Sequence, residues 1–198
     1  INIAADNSSF GFVQDDMELV SSDLPEGISI SLSATGTEDN VLNGNLSGTY
    51  PSDIYIISGN LIILEEETVV LQPGTQFLFD GPYSLTINGV LKAMGGVADS
   101  IIFDNYDVNN TERWRGFILL NQTVETVFQY VRISGAYKPS YFEGFVGYDS
   151  GGGMYLYQSD PILSHVTLSG NEAGGYQGGG GMHLDWSNPQ LSHIMINN

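Results

Sequence analysis

The sequence predicts an all-β chain wound as a solenoid, and three observations carry that prediction. Residues 152–170 (GGMYLYQSDPILSHVTLSG) align without a gap on residues 180–198 (GGMHLDWSNPQLSHIMINN), a period of 180 − 152 = 28 residues. The Gly pair, Met154/Met182, Leu156/Leu184, Ser159/Ser187, Pro161/Pro189, Leu163/Leu191, Ser164/Ser192 and His165/His193 are identical. A period of this size marks stacked units, none of which buries its apolar side alone. Within the repeat, Met154-Tyr155-Leu156-Tyr157 alternates core-like and surface-like side chains, Ser-Asp-Pro interrupts it, and 162–168 supplies two further short apolar runs. No 3.6-residue spacing or helix cap runs through the repeat, which excludes helical solenoids. Each coil therefore reads as strand, turn, strand, tight corner, strand, turn, laid on the previous coil at the ~4.8 Å spacing of paired strands.

Taken in order, residues 1–45 are acidic and turn-rich (DNSS, QDDMEL, SSDLPEG, TGTEDN), with short alternation at Ile28-Ser29-Ile30-Ser31-Leu32. They are expected to form an N-terminal cap or the tail of a preceding domain, since an open solenoid end exposes strand edges and core side chains. Solenoid signals begin at Ile54-Tyr55-Ile56-Ile57 and continue through 61–64, 68–71 and 77–79, punctuated by Gly59-Asn60, Pro73-Gly74 and Gly81-Pro82. Runs 84–91 and 100–103 follow. The polar stretch 104–113 is expected to be an insertion loop. Residues 116–120 align with 153–157, and 128–135 with 163–170, which puts Tyr130 where His165 and His193 stand. The irregular, aromatic segment AYKPSYFEGFVGYDS (136–150) is expected to be a second excursion. The domain division is thus 1–45 and 46–198. Because Asn198 falls inside a coil, the native chain is expected to continue beyond it.

The motif GGGMYLYQSDPILSHVTLSGN (151–171) resembles the repeats of right-handed parallel β-helix proteins, the architecture of pectate lyases and of many large bacterial surface proteins. LIILEEETVVLQPGTQFLFDGPYSLTINGVLKAMGGVADSIIFDN (61–105) is similar to the first coils of bacterial cell-surface members, and WRGFILL with VFQYVRISG resembles later coils in looser form. The resemblance covers roughly 46–198 and implies a right-handed parallel β-helix. It specifies chemistry weakly, because that scaffold carries lyases, hydrolases, adhesins and spacers.

Composition bounds the partners. Lys and Arg number 5 against 23 Asp and Glu, a formal net charge of −18, so phosphate backbones and anionic bilayers are repelled and nucleic acid is not expected to bind. There is no cysteine, hence no disulfide or thiolate site. No stretch approaches the ~18 apolar residues of a membrane span. The chain begins at Ile with no basic n-region followed by an apolar h-region, so any signal peptide is expected to have been removed or to lie outside this sequence; abundant Gly, Tyr, Asn, Ser and Thr fit an exported, extracellular bacterial protein.

The candidate ligand site lies on the repeat strand. Alternation sends Tyr155 and Tyr157 outward, and His183 and Asp185 one coil on, with Trp186 beside them and Ile118 and Leu120 one coil earlier. Rings that stack on pyranose C–H faces, with an imidazole and a carboxylate to fix hydroxyls, suit a polysaccharide or cell-surface glycan. His165 and His193 fall at a corner and read as a structural ladder, since two imidazoles without a third ligand make a poor metal site. Asp80, Asp99, Asp104 and Asp107 lie near turns and are the residues through which calcium could bind, although no D-x-D-x-D-G loop is present and a solvated acidic surface is preferred. Arg113 and Arg115 flank Trp114 where an anionic sugar could enter. No catalytic set is legible. The expected function is a non-enzymatic, adhesin-like stalk or carbohydrate-contacting module, secreted or surface-anchored. The rivals are a polysaccharide lyase or glycoside hydrolase with residues elsewhere, and a filament or tail-spike subunit self-associating through solenoid ends.

Overall fold

A computed structural model describes residues 11–21, 24–36, 40–107, 109, 111–123, 125–139, 150–174 and 178–197, with side chains described from residue 40 onward. The chain divides into two compact units, Ile1–Asp39 and Asn40–Asn198. In the first, strands Gly11–Ser21 and Leu24–Gly36 pair antiparallel, from Gly11 opposite Gly36 to Ser21 opposite Leu24. The alternating run at 28–32 lies inside the second of these strands.

In the second unit every pairing among the described residues is parallel, and the strands fall into three stacks visited in rotation. Stack A contains 40–42, 54–57, 76–79, 101–105, 131–134, 166–169 and 195–197. Stack B contains 44–46, 61–63, 85–87, 117–120, 154–157 and 182–185. Stack C contains 48–50, 68–71, 90–94, 127–129, 162–164 and 190–192. Each set A-B-C forms a tier whose partners are the tiers before and after it. The fold is all-β, with no helix among the described residues, and its pairing is compatible with a solenoid.

Register follows the repeat residue for residue. Met154 pairs with Met182 and Leu156 with Leu184, Phe117 with Met154, and Phe128 with Leu163. Parallel pairing begins earlier than the apolar runs suggest, with Asn40 opposite Tyr55. The first tier, NVLNGNL, has only Leu42 and Leu46 packed on the core and leaves Val41 exposed, so its sequence lacks the apolar alternation that marks later tiers.

Inward residues of the three stacks form one core, including Leu61, Ile63, Phe77, Phe103, Phe117, Phe128, Leu156 and Leu168. Aromatic rings meet edge to face both between successive tiers, with centroids 5.4 Å apart for Tyr55–Phe77 and 5.6 Å for Phe77–Phe103, and across one tier, 4.8 Å for Phe103–Phe117 and 5.3 Å for Phe117–Phe128. Trp114, in the stretch between stacks A and B, is fully buried against Phe79 at 4.5 Å and donates its indole N–H to Ser134 O at 2.7 Å. The 104–113 stretch is therefore anchored at both ends, Asp104 lying in the strand Ile101–Asn105.

The identities of the repeat have separate physical causes. The Gly pair is where backbone meets backbone: a Cβ on Gly152 would stand 2.1 Å from Glu172 O and 2.6 Å from Gly180 O. Ser159 and Ser187 make a ladder at the corner between stacks B and C. Ser159 Oγ donates to Tyr157 O at 2.8 Å and accepts the Gln122 N–H at 3.0 Å, while Ser187 Oγ donates to Asp185 O at 3.0 Å and accepts the Ser159 N–H at 2.9 Å. Each serine thus ties its own corner and satisfies the N–H of the tier before. Asp160 Oδ1 accepts the Asn188 N–H at 2.6 Å, in the opposite direction along the stack, from the tier that follows.

Identical residues one period apart need not be equally buried. Leu156 is 0% exposed between two neighbouring tiers, whereas Leu184 is 43% exposed because no described strand lies on its far side. Leu156→Ala is accordingly expected to lower stability by ~2–5 kcal/mol, as for a buried leucine leaving a cavity. Leu184→Ala should cost distinctly less in the same chemical-denaturation experiment. Equal losses would contradict this register and burial.

Candidate functional site

The outward face of stack B carries Thr86, Ile118, Tyr155 and His183 in successive tiers. The alternation is as expected, with Met154 and Leu156 in the core and Tyr155 absent from it. Exposure is not as expected. Tyr155 is only 2% exposed and Ile118 only 3%, so neither presents a ring or an aliphatic face to solvent. Over Tyr155 the cover is visible: a short strand after the Gly135 corner, Tyr137–Lys138, pairs in parallel with Glu172–Ala173, and Lys138 lies over the Tyr155 ring. The aromatic run at 140–149 lies outside the described residues.

Lys138 is itself buried. Its Nζ donates to Phe117 O at 3.1 Å and lies 5.6 Å from the centre of the Tyr155 ring. Tyr155 Oη–H donates to Asp185 Oδ2 at 2.9 Å and its ring is parallel to that of His183, centroids 5.6 Å apart. Asp185 therefore orients the phenol of the preceding tier. Tyr157, His183 and Asp185 are half-buried. Trp186 is 85% exposed, the most open large apolar side chain among the described residues. Of the five predicted ligand residues, then, Tyr155 is internal, and Tyr157, His183, Asp185 and Trp186 remain at the surface.

Trp186 occupies a special backbone position. The corner from stack B to stack C holds Asn121, Gln158 and Trp186 in successive tiers at φ of 54°, 47° and 51°. The corner from stack C to stack A holds Tyr130, His165 and His193 at 47°, 54° and 53°. Left-handed non-glycine residues cost ~1–2 kcal/mol each, so the two corners are imposed by the tier geometry. At the second, the rings stack, Tyr130 on His165 at 4.4 Å and His165 on His193 at 4.2 Å, as the ladder reading anticipates. Ser164 Oγ lies 3.0 Å from His165 Nδ1.

The arginines flanking Trp114 are engaged within the protein. Arg113 donates to Gly135 O at 2.7 Å, Ala136 O at 3.0 Å and Gly170 O at 2.6 Å, and pairs with Glu172 at 2.9 Å. Arg115 donates to Tyr137 O at 2.9 Å, and both guanidiniums lie 5.7 Å from the Tyr137 ring centre. They clamp the short strand that covers stack B instead of opening an anion site. Asp104 accepts from Ser134 Oγ and Asp107 from Asn109, and among the described residues no three His, Asp or Glu side chains gather where a metal would be held. No helix among the described residues is long and apolar enough to cross a membrane.

No family model matches the chain, nor does any curated protein or solved structure.

Sequence reasoning missed Lys138 as a structural residue. Its two-residue strand is too short for periodicity, and only the lone cation amid Tyr and Phe marks it. Burial lowers the Lys138 pKa to about 7. Above that pH the folded chain holds the amine neutral, while the unfolded chain keeps its proton up to the ordinary lysine value. The unfolded state then binds more protons, so this group makes stability rise with pH from about 7 upward. Denaturant unfolding from pH 7 to pH 9 should show that rise in the native protein and lose it in Lys138→Met. Parallel profiles for the two proteins would refute the assignment.

Proposed function

We propose that this chain is a module of a secreted or surface-anchored right-handed parallel β-helix protein, non-enzymatic, that acts as an adhesin-like stalk and contacts glycan through Tyr157, His183, Asp185 and Trp186. The observation that carries the reading is the Trp186 indole, 85% exposed on a corner whose backbone needs no tryptophan. Asn121 and Gln158 fill the same left-handed position in the two preceding tiers. An indole there adds nothing to the core, and it presents a flat apolar ring one residue from Asp185 at the end of the strand that carries His183, a combination suited to stacking on a pyranose and fixing its hydroxyls.

The distribution of cations favours binding over the lyase reading. Eliminative cleavage of a uronate needs a basic group at the sugar and a positive charge to neutralise the carboxylate. Of the five Lys and Arg residues, Arg113, Arg115 and Lys138 are bonded to backbone carbonyls, and Lys92 and Arg132 stand on stacks C and A, away from the outward face of stack B. The acidic chain repels the polyanion as well.

Retention on a polysaccharide array tests the reading. The native protein should be retained, and Trp186→Ala combined with Tyr157→Ala should lose retention with the melting temperature nearly unchanged, since exposed rings add contact area to a ligand but little to the core. Release of unsaturated ends or shortened chains from the array would favour the enzyme instead.

A further inference from the structure

A groove of about 540 Å³ runs along the corner between stacks B and C, two tiers and more from Trp186, and none of Tyr155, Tyr157, His183, Asp185 and Trp186 lines it. Three successive tiers line it: Leu64 and Glu65, then Asn88 to Val90, then Leu120 to Thr123 with Glu125. Its volume lies within the ~300–1,000 Å³ range of small-ligand sites.

The hydrogen-bonding state of the lining distinguishes floor from contact groups. Gln122 is saturated, its Nε2 donating to Ile87 O at 3.0 Å and Leu120 O at 2.7 Å while its Oε1 accepts from Thr126 Oγ1 at 2.7 Å. It is buried and forms the floor. Asn88 and Asn121, by contrast, have side-chain amides with no protein partner among the described residues, as do the carboxylates of Glu65 and Glu125. Asn88 is held by its backbone N–H to Ile63 O at 2.9 Å, and Asn121 by its N–H to Tyr157 O at 3.0 Å and its left-handed φ of 54°. Two amides therefore stand on adjacent tiers, one residue out of register because Leu119 pairs with Ile87, and each offers donors and acceptors that no described residue uses. Leu64, Val90 and Leu120 add apolar surface to the lining.

The required ligand is elongated, offers a hydroxyl or carbonyl to each tier, and has apolar faces for the leucine and valine surfaces. Charge narrows it further. Two carboxylates and no Lys or Arg line the groove of a chain with net charge −18, which disfavours uronates, sulfated sugars, nucleic acid and phosphate. We propose that this groove binds an uncharged oligosaccharide, one sugar per tier, without calcium. The inference deepens the glycan-contacting reading and rests on it, but it places the main contact at Asn88 and Asn121, with Trp186 farther along the same corner.

Calorimetric titration of the whole chain with neutral hexose and N-acetylhexosamine oligomers, and with an oligouronate, each with and without EDTA, is the test. Neutral oligomers should bind equally well in EDTA. Asn88→Ala with Asn121→Gly, the glycine preserving the left-handed corner, should weaken binding by roughly tenfold or more, the loss expected for removing two ligand hydrogen bonds. Glu65→Gln with Glu125→Gln keeps the groove's shape and serves if the first pair melts early; it should bind neutral oligomers and should not gain tight oligouronate binding in their place. Undiminished binding by the Asn variant, with loss on Trp186→Ala, would overturn the groove and leave the glycan-contacting reading standing. Binding of the oligouronate alone, or binding abolished by EDTA, would overturn the groove's chemistry. No binding of any sugar would overturn both.

Discussion

Parallel pairing between successive tiers is the constraint on which the rest of the second unit depends. The strands of a tier make their ladder hydrogen bonds to neighbouring tiers, while only turns such as Glu67 N–H to Leu64 O close within one, so no tier is complete alone. The register that satisfies those bonds also sets each inward side chain on its counterpart one period away, Met154 on Met182 and Phe117 on Met154. Sequence repetition is the consequence: a residue that fits the core at one tier meets the same neighbours at the next. Where the counterparts are aromatic, as from Tyr55 through Phe77 to Phe103, the rings adopt edge-to-face contacts that carry the same continuity across longer and less similar tiers, and Phe117 extends them across the Phe103 tier.

Corners are the second requirement. A chain that changes direction three times per tier must leave the β region, and the two corners that use single left-handed residues do so with Asn, Gln, Trp, Tyr and His. Their strain is offset by ladders between tiers, serine to backbone at one corner and ring on ring at the other. This places chemically rich side chains at regular intervals on the outside of a rigid frame. Amides of Asn88 and Asn121 left without partners among the described residues, and an indole left open at Trp186, are then available to a ligand at no loss to the core.

Cover over stack B decides which of the outward groups are reachable. Arg113 and Arg115 hold the strand Tyr137–Lys138 in place through backbone carbonyls and through the Tyr137 ring, and Lys138 closes over Tyr155. Positive charge, scarce in this chain, is thereby used mainly to fasten one covering element. The remaining surface is acidic and suited to uncharged or cationic ligands.

The sequence by itself determined the all-β class, the period, the register of the repeat and the corner ladder of His165 and His193, because each is a local pattern multiplied by stacking. Gly152, Ser159, Pro161 and His165 recur 28 residues on for reasons of backbone approach and corner geometry that one coil already contains. Inward and outward sides of Met154-Tyr155-Leu156-Tyr157 were equally legible from alternation. Exposure was not. Whether an outward residue meets solvent depends on segments that leave the tier and return, and Tyr137–Lys138 joins Glu172–Ala173 across more than thirty residues with no periodic signal. Nor could composition distinguish Leu156 from Leu184, identical in sequence context and opposite in burial. The unpartnered amides of the groove are likewise a tertiary property, since Gln122 meets Ile87, Leu120 and Thr126 while the Asn88 and Asn121 amides meet no partner among the described residues.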